Sequence, residues 1–146
     1  MQKVALHLHH QTLKIGRCNS LAAFNTNGLL GFPINSRPAA LSGFFKLTSV
    51  GGDVGQIGLM LTKWNTLTNK RDTLFHTGEV TTTAPASYLQ FLIPITYAYN
   101  EVPDTASLQF GIVGIPNITH LGTQYFIDDI SFTGSVPLGV EQVIPK

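Results

Sequence analysis

Long apolar runs, charge and cysteine are what this 146-residue chain has least of. No apolar run approaches the roughly 18–20 residues of a membrane-crossing helix, so the apolar content belongs in a core. Only 12% of residues are charged and the formal net charge is +1. That leaves no electrostatic footprint for nucleic acid and no basic amphipathic segment for a membrane surface. The one cysteine, Cys18, excludes an internal disulfide. No helix-length stretch keeps a 3.6-residue apolar period, which argues against a helical fold. A Gly-x-Ser-x-Gly elbow, a zinc-protease helix motif and a phosphate loop are all missing. The opening, Met1 to His10, lacks a long apolar core and a small-residue cleavage site. It does not read as a signal peptide, but as a strand that begins abruptly.

What is present is β-structure. Fourteen Gly and eight Pro are scattered, as suits short strands joined by turns. Alternation predicts strands at Lys3–Leu8, Gln11–Ile15, Ala40–Ser49, Val54–Trp64, Tyr88–Tyr97, Ala106–Val113 and Gln124–Phe132. One or two more fall within Asp72–Thr83. Gly51-Gly52-Asp53 predicts a hairpin between the third and fourth of these. Pro94 cannot donate to a ladder, so its strand belongs at an edge or carries a bulge. About eight strands with regular turn signals predict an all-β antiparallel sandwich or jelly roll. Residues 1–134 form that domain, and 135–146, with two prolines and no alternation, read as a C-terminal linker.

The densest β-forming stretch, Gln124–Phe132, holds two adjacent acids. Strict alternation puts Phe126, Asp128, Ile130 and Phe132 on one face, and Tyr125, Ile127, Asp129 and Ser131 on the other. One carboxylate therefore meets buried surface and needs a cation or a metal. Hard oxygen ligands suit structural calcium, which makes Asp128 and Asp129 candidate metal ligands. The plainer alternative pairs one with Arg37 or Lys46 and leaves the other in water. His7 and His9, with His10 beside them, have the spacing of a strand-borne zinc or copper pair, yet no further ligand lies nearby. Trp64, Tyr88, Tyr97 and Tyr99 are candidate ligand-binding aromatics, since apolar C–H faces of sugar rings pack on aromatic rings. The alternative is that they fill the core or its rim. Asp104, Asp128, Asp129, Glu79 and Glu101 are the acids available for glycoside hydrolysis, but nothing in their spacing places a pair. Asn117-Ile118-Thr119 matches a glycosylation acceptor.

The order of these segments resembles a family. Arg37-Pro38-Ala39-Ala40-Leu41-Ser42-Gly43-Phe44-Phe45-Lys46 is similar to the R-P-x-x-L-x-G-Y-Y-K-Y signature of the carbohydrate-metabolism (PCMD-type) domains of secreted and surface proteins of Bacteroidota. Gly52-Asp53, Leu61-Thr62-Lys63-Trp64, Phe91 to Tyr97, Pro103-Asp104-Thr105 and Tyr125 to Asp129 resemble its later landmarks. Phe44, Phe45 and Leu47 stand where tyrosines are usual. The resemblance implies a jelly roll like that of carbohydrate-binding modules, and a secreted or cell-surface location.

The resulting expectation is a non-catalytic, carbohydrate-binding accessory module, not an enzyme. Its ligand is a polysaccharide or glycan, its only cofactor structural Ca²⁺, and its partners the neighbouring domains of a larger protein. The alternatives are a structural or adhesion spacer with no glycan ligand and, less favoured, a glycoside hydrolase. If N-terminal strands are missing, the edge left behind pairs chains into a homodimer.

Overall fold

The computed structural model describes residues 11–14, 31–81, 83–114 and 118–139, with side chains from residue 31 onward other than those of 79 and 80. The expected Lys3–Leu8 strand, His7, His9, His10, Cys18 and Asn117 lie outside the described residues. Among the described residues eight strands are formed: β1 (Gln11–Lys14), β2 (Phe32–Pro33), β3 (Ala40–Thr48), β4 (Val54–Asn65), β5 (Lys70–Thr81), β6 (Leu89–Pro94), β7 (Thr105–Val113) and β8 (Gln124–Thr133). They make two four-stranded antiparallel sheets, ordered β1-β8-β3-β6 and β2-β7-β4-β5. This interleaving is the strand order of a jelly roll, as the alternation predicts.

Two local expectations are corrected. The Gly51-Gly52-Asp53 turn does not close a hairpin, because β3 and β4 belong to different sheets. Leu41, Phe45 and Leu47 of β3 and Ile57, Leu59 and Leu61 of β4 are all buried. Placed in separate sheets, these rows oppose each other across the core, the burial that a sandwich requires. The hairpin is β4–β5 instead, with Asn69 at φ 56° in its turn.

The second correction concerns β8. Between Ser42↔Ser131 and Phe44↔Asp128 the register shifts, and Asp129 takes a φ of 48°. A bulge adds a residue to one strand and resets its alternation. Tyr125, Ile127 and Ile130 therefore all point inward, while Asp128 is half-buried and Asp129 exposed. Neither acid enters the core. Without strict alternation neither carboxylate is forced against buried surface.

The core draws on both sheets and is closed by rings. Phe45 of β3 meets Phe91 of β6 at 6.5 Å and Tyr125 of β8, edge-on, at 6.1 Å. Phe32 of β2 meets Phe132 of β8 across the sandwich at 6.2 Å. Tyr125 is wholly buried against Gly55, where an added Cβ would come within 2.7 Å of its ring. Its hydroxyl meets no partner at hydrogen-bond geometry among the described residues; the adjacent Thr81 hydroxyl donates to the Gly55 carbonyl at 2.6 Å. Burial pushes the Tyr125 phenol well above its usual pKa, and the Thr81 hydroxyl offsets only part of that. A buried hydroxyl with no partner is a net cost. Tyr125→Phe keeps the ring packing and removes it, so chemical denaturation should show a gain of about 1 kcal/mol. A loss of that size would show that the hydroxyl is bonded.

Candidate functional site

The outward residues of the second sheet follow from its register. Ile57, Leu59 and Leu61 point into the core, so Gln56, Gly58 and Met60 point away from it. Gly58 lies between Gly78 of β5 and Gln109 of β7, and Met60 lies between His76 and Ser107. With no side chains at Gly58 and Gly78, a groove of about 350 Å³ opens on this face. Gln56, Met60, His76 and Gln109 stand along it. The size is that of a small-ligand site. Each glutamine amide along it offers two donors and an acceptor oxygen, groups that can bond hydroxyls.

The outer face of the first sheet has a different character. Lys46 holds its ammonium 4.5 Å from the Phe126 ring centroid and 5.4 Å from that of Tyr88. Gln90, Phe44 and Asp128 form the next row across β6, β3 and β8.

The four candidate aromatics are not gathered on one face. Tyr88 lies with Lys46 on the outer side of the first sheet. Trp64 is the last residue but one of β4, at the rim shared with the 95–104 loop, 43% exposed, with the Arg71 guanidinium 6.0 Å from its ring. Tyr97 is half-buried: Arg37 covers its ring at 4.1 Å and its hydroxyl donates to the Pro38 carbonyl at 2.9 Å. Burial pushes this phenol up to about 12, the Arg37 charge opposing only part of the shift. Tyr99 is 57% exposed, while its carbonyl accepts from Arg37. Trp64, Tyr97 and Tyr99 thus belong to one end of the sandwich, and Tyr88 does not.

That end is cross-braced. Arg71 donates to Asp104 at 2.7 Å, Thr105 at 3.0 Å and Thr62 at 3.3 Å. The second Asp104 oxygen accepts the Trp64 amide at 2.8 Å, and Lys63 pairs with Glu101 at 3.1 Å. Burial raises the Asp104 pKa, but the Trp64 amide, Thr105 and Arg71 outweigh it and hold the carboxyl below its usual value. Arg37 donates to the carbonyls of Tyr99, Glu101 and Val136. Asn100 and Gly139 exchange two hydrogen bonds of 2.8 Å. Residues 136–139 are thereby held against the 95–104 loop.

At the opposite end Asp53, 2% exposed, accepts three hydrogen bonds. The His120 amide and Thr123 hydroxyl reach one oxygen at 2.8 and 2.6 Å, and His120 Nδ1 reaches the other at 2.8 Å. Burial pushes the Asp53 pKa up. The bonds from the His120 ring, Thr123 and the His120 amide, with the His120 charge, outweigh burial and leave the carboxyl below its usual value.

Of the candidate acids, Asp104 and Glu101 are ion-paired at the braced rim. Asp128 and Asp129 sit at the β8 bulge, with the Asp129 amide bonded to the Asp128 carboxylate at 2.9 Å. Among the described residues no group of three or more His, Cys, Asp or Glu side chains is placed to hold a metal. Gln56, Gly58, Gly78 and Gln109 were not candidates from sequence, since amides and glycines carry no motif. The signal that pointed to them was glycine in mid-strand, which often marks a close approach by a ligand or another backbone.

No family model matches the chain, and no curated protein matches it. Solved structures do. A Bacteroides thetaiotaomicron protein named a "putative glycoside hydrolase" superposes with a TM-score of 0.55 at 11% identity, over 76% of this chain and 43% of its own. A Bacteroides vulgatus protein of the same name gives 0.54 at 11% identity, over 70% of this chain and 54% of its own. The chain thus spans about half the length of these structures. At this identity the likeness establishes the fold, a β-sandwich that occurs in Bacteroides proteins.

The expectation that the chain is not an enzyme is corrected by these neighbours, since both carry a hydrolase name. The expectation rested on sequence spacing that places no acid pair. Spacing is a poor ground for exclusion, because the two carboxylates of a glycosidase are brought together by the fold.

Proposed function

We propose that the chain is the saccharide-engaging jelly roll of a glycoside-hydrolase-type protein of the PCMD kind, secreted or held at the cell surface. The groove over Gly58 and Gly78 carries this reading. It joins a ligand-sized depression to two glutamine amides, and His76 and Met60 complete its walls. Sugar hydroxyls both donate and accept, as amides do, and a methionine side chain packs on the C–H face of a pyranose. The names of the two Bacteroides structures support the same chemistry.

The test is a polysaccharide screen that reads both retention and the release of new reducing ends. One glycan class should be retained or cleaved. Gln56→Ala and Gln109→Ala should each weaken the interaction by about tenfold, the worth of one good hydrogen bond. Retention unchanged in both variants would move the site away from the groove. Neither retention nor cleavage of any glycan, from a folded sample, would defeat the reading.

A further inference from the structure

We infer that the groove accepts an uncharged saccharide lying flat against bare strand backbone, its depth set by Gly58 and Gly78. The inference rests on the saccharide reading above and narrows it to a substrate class.

The first support is what the groove lacks. Among the described residues its walls carry no lysine, arginine, aspartate or glutamate, and His76 is the one titratable side chain along it. A polyanionic glycan would find no counter-charge for its carboxylates or sulfates among the described groove walls. The amides of Gln56 and Gln109 match neutral hydroxyls instead. Neither side chain has a hydrogen-bond partner among the described residues. Their amides flank the two glycines: Gln56 Nε2 is 3.2 Å from where a Cβ at Gly78 would sit, and Gln109 Oε1 is 3.7 Å from that of Gly58.

The second support is that nothing among the described residues requires these glycines. Gly43 and Gly55 have plain packing reasons, because an added Cβ would meet the Phe91 and Tyr125 rings at 2.7 Å. Neither Gly58 nor Gly78 has a positive φ. A Cβ at Gly58 would find Gln109 Cβ at 3.4 Å, an ordinary contact, and one at Gly78 would find only the mobile amide of Gln56. Gly111, opposite Gln56 on β7, has open space around it. Glycine weakens a strand, so three on the same outer face of neighbouring strands are a cost that the fold does not explain. An occupant that must approach the backbone does explain it.

The experiment uses the full chain, its Gly58→Val and Gly78→Val variants, and matched panels of neutral and acidic polysaccharides. Wild type should be retained on a neutral glycan, with retention unaffected by high salt. Valine suits a strand, so the variants should melt no lower than wild type while binding falls at least about tenfold. If valine prevents folding, Gly58→Ala tests the same point, because its methyl meets Gln109 at ordinary contact distance. Neutral-glycan binding that survives in every folded glycine variant would overturn the inference and leave the broader reading standing. So would a preference for acidic glycans that salt abolishes. Retention of no glycan by wild type would overturn both.

Discussion

Arg37→Ala is expected to cost about 3–5 kcal/mol of stability, the largest effect of any single substitution considered for this chain. The guanidinium is 9% exposed and donates to the carbonyls of Tyr99, Glu101 and Val136 while stacking on Tyr97 at 4.1 Å. These contacts join three separate stretches: the residues before β3, the 95–104 loop and the segment after β8. Alanine leaves the carbonyls without their donor and opens a void over the Tyr97 ring. Hydrogen bonds from a charged donor are each worth about 1.5–3 kcal/mol, partly offset by water reaching the vacated site. Arg37→Lys should recover only a fraction, because an ammonium cannot reproduce the planar fork. Urea denaturation of the three proteins measures this directly. A loss under about 1 kcal/mol for the alanine variant would show that water replaces the guanidinium without penalty.

Asp53→Ala should cost about 3 kcal/mol, because it strands the buried Thr123 hydroxyl and the His120 amide together. Its pH signature separates it from an ordinary packing defect. The folded Asp53 carboxyl titrates below its usual value. Its contribution is therefore fully present above the unfolded pKa, near 4, and is lost as pH falls through the lower folded value. Wild-type melting temperature should drop steeply on acidification below about pH 4. Asp53→Asn should flatten that drop, and Asp104, whose pKa is also lowered, should account for part of what remains. Parallel acid profiles for wild type and Asp53→Asn would show that the three bonds place no extra demand on the charged form.

The fold was legible because its strands alternate cleanly. Leu41, Phe45 and Leu47, then Ile57, Leu59 and Leu61, then Phe91, Ile93 and Ile95 announce their inward faces at a period of two. The failures came where that period breaks. The bulge at Asp129 moves an acid out of step with its strand, whereas the one or two strands expected within Asp72–Thr83 are one, β5, which runs on through a register shift at Leu74. The false hairpin at Gly51-Gly52 has another cause. A tight turn between two strands looks the same in sequence whether they pair or cross between sheets. Asp53, whose partners lie 67 and 70 residues away, marks the crossing only once the fold is known.

The candidate groove was less legible still. Aromatics and acids attract attention because their chemistry is distinctive, and here Tyr97 is covered by Arg37 while Glu101 and Asp104 brace a rim. Gln56 and Gln109 are 53 positions apart, and only the β4–β7 register brings them to opposite sides of the same glycine-floored depression. Long-range strand pairing is the information that a single sequence carries most weakly.

The clip between Asn100 and Gly139 has a mechanical consequence. Tension applied to the chain at Gly139 does not reach β8 first. It meets the paired amide bonds at Gly139, then the Val136–Arg37 contacts, in which Val136 donates to the Arg37 carbonyl at 2.8 Å and accepts from its guanidinium. Only behind these does the load fall on the β8 ladder, which is held on both sides by β1 and β3. The sandwich is thus insulated from a pull on the chain beyond Gly139.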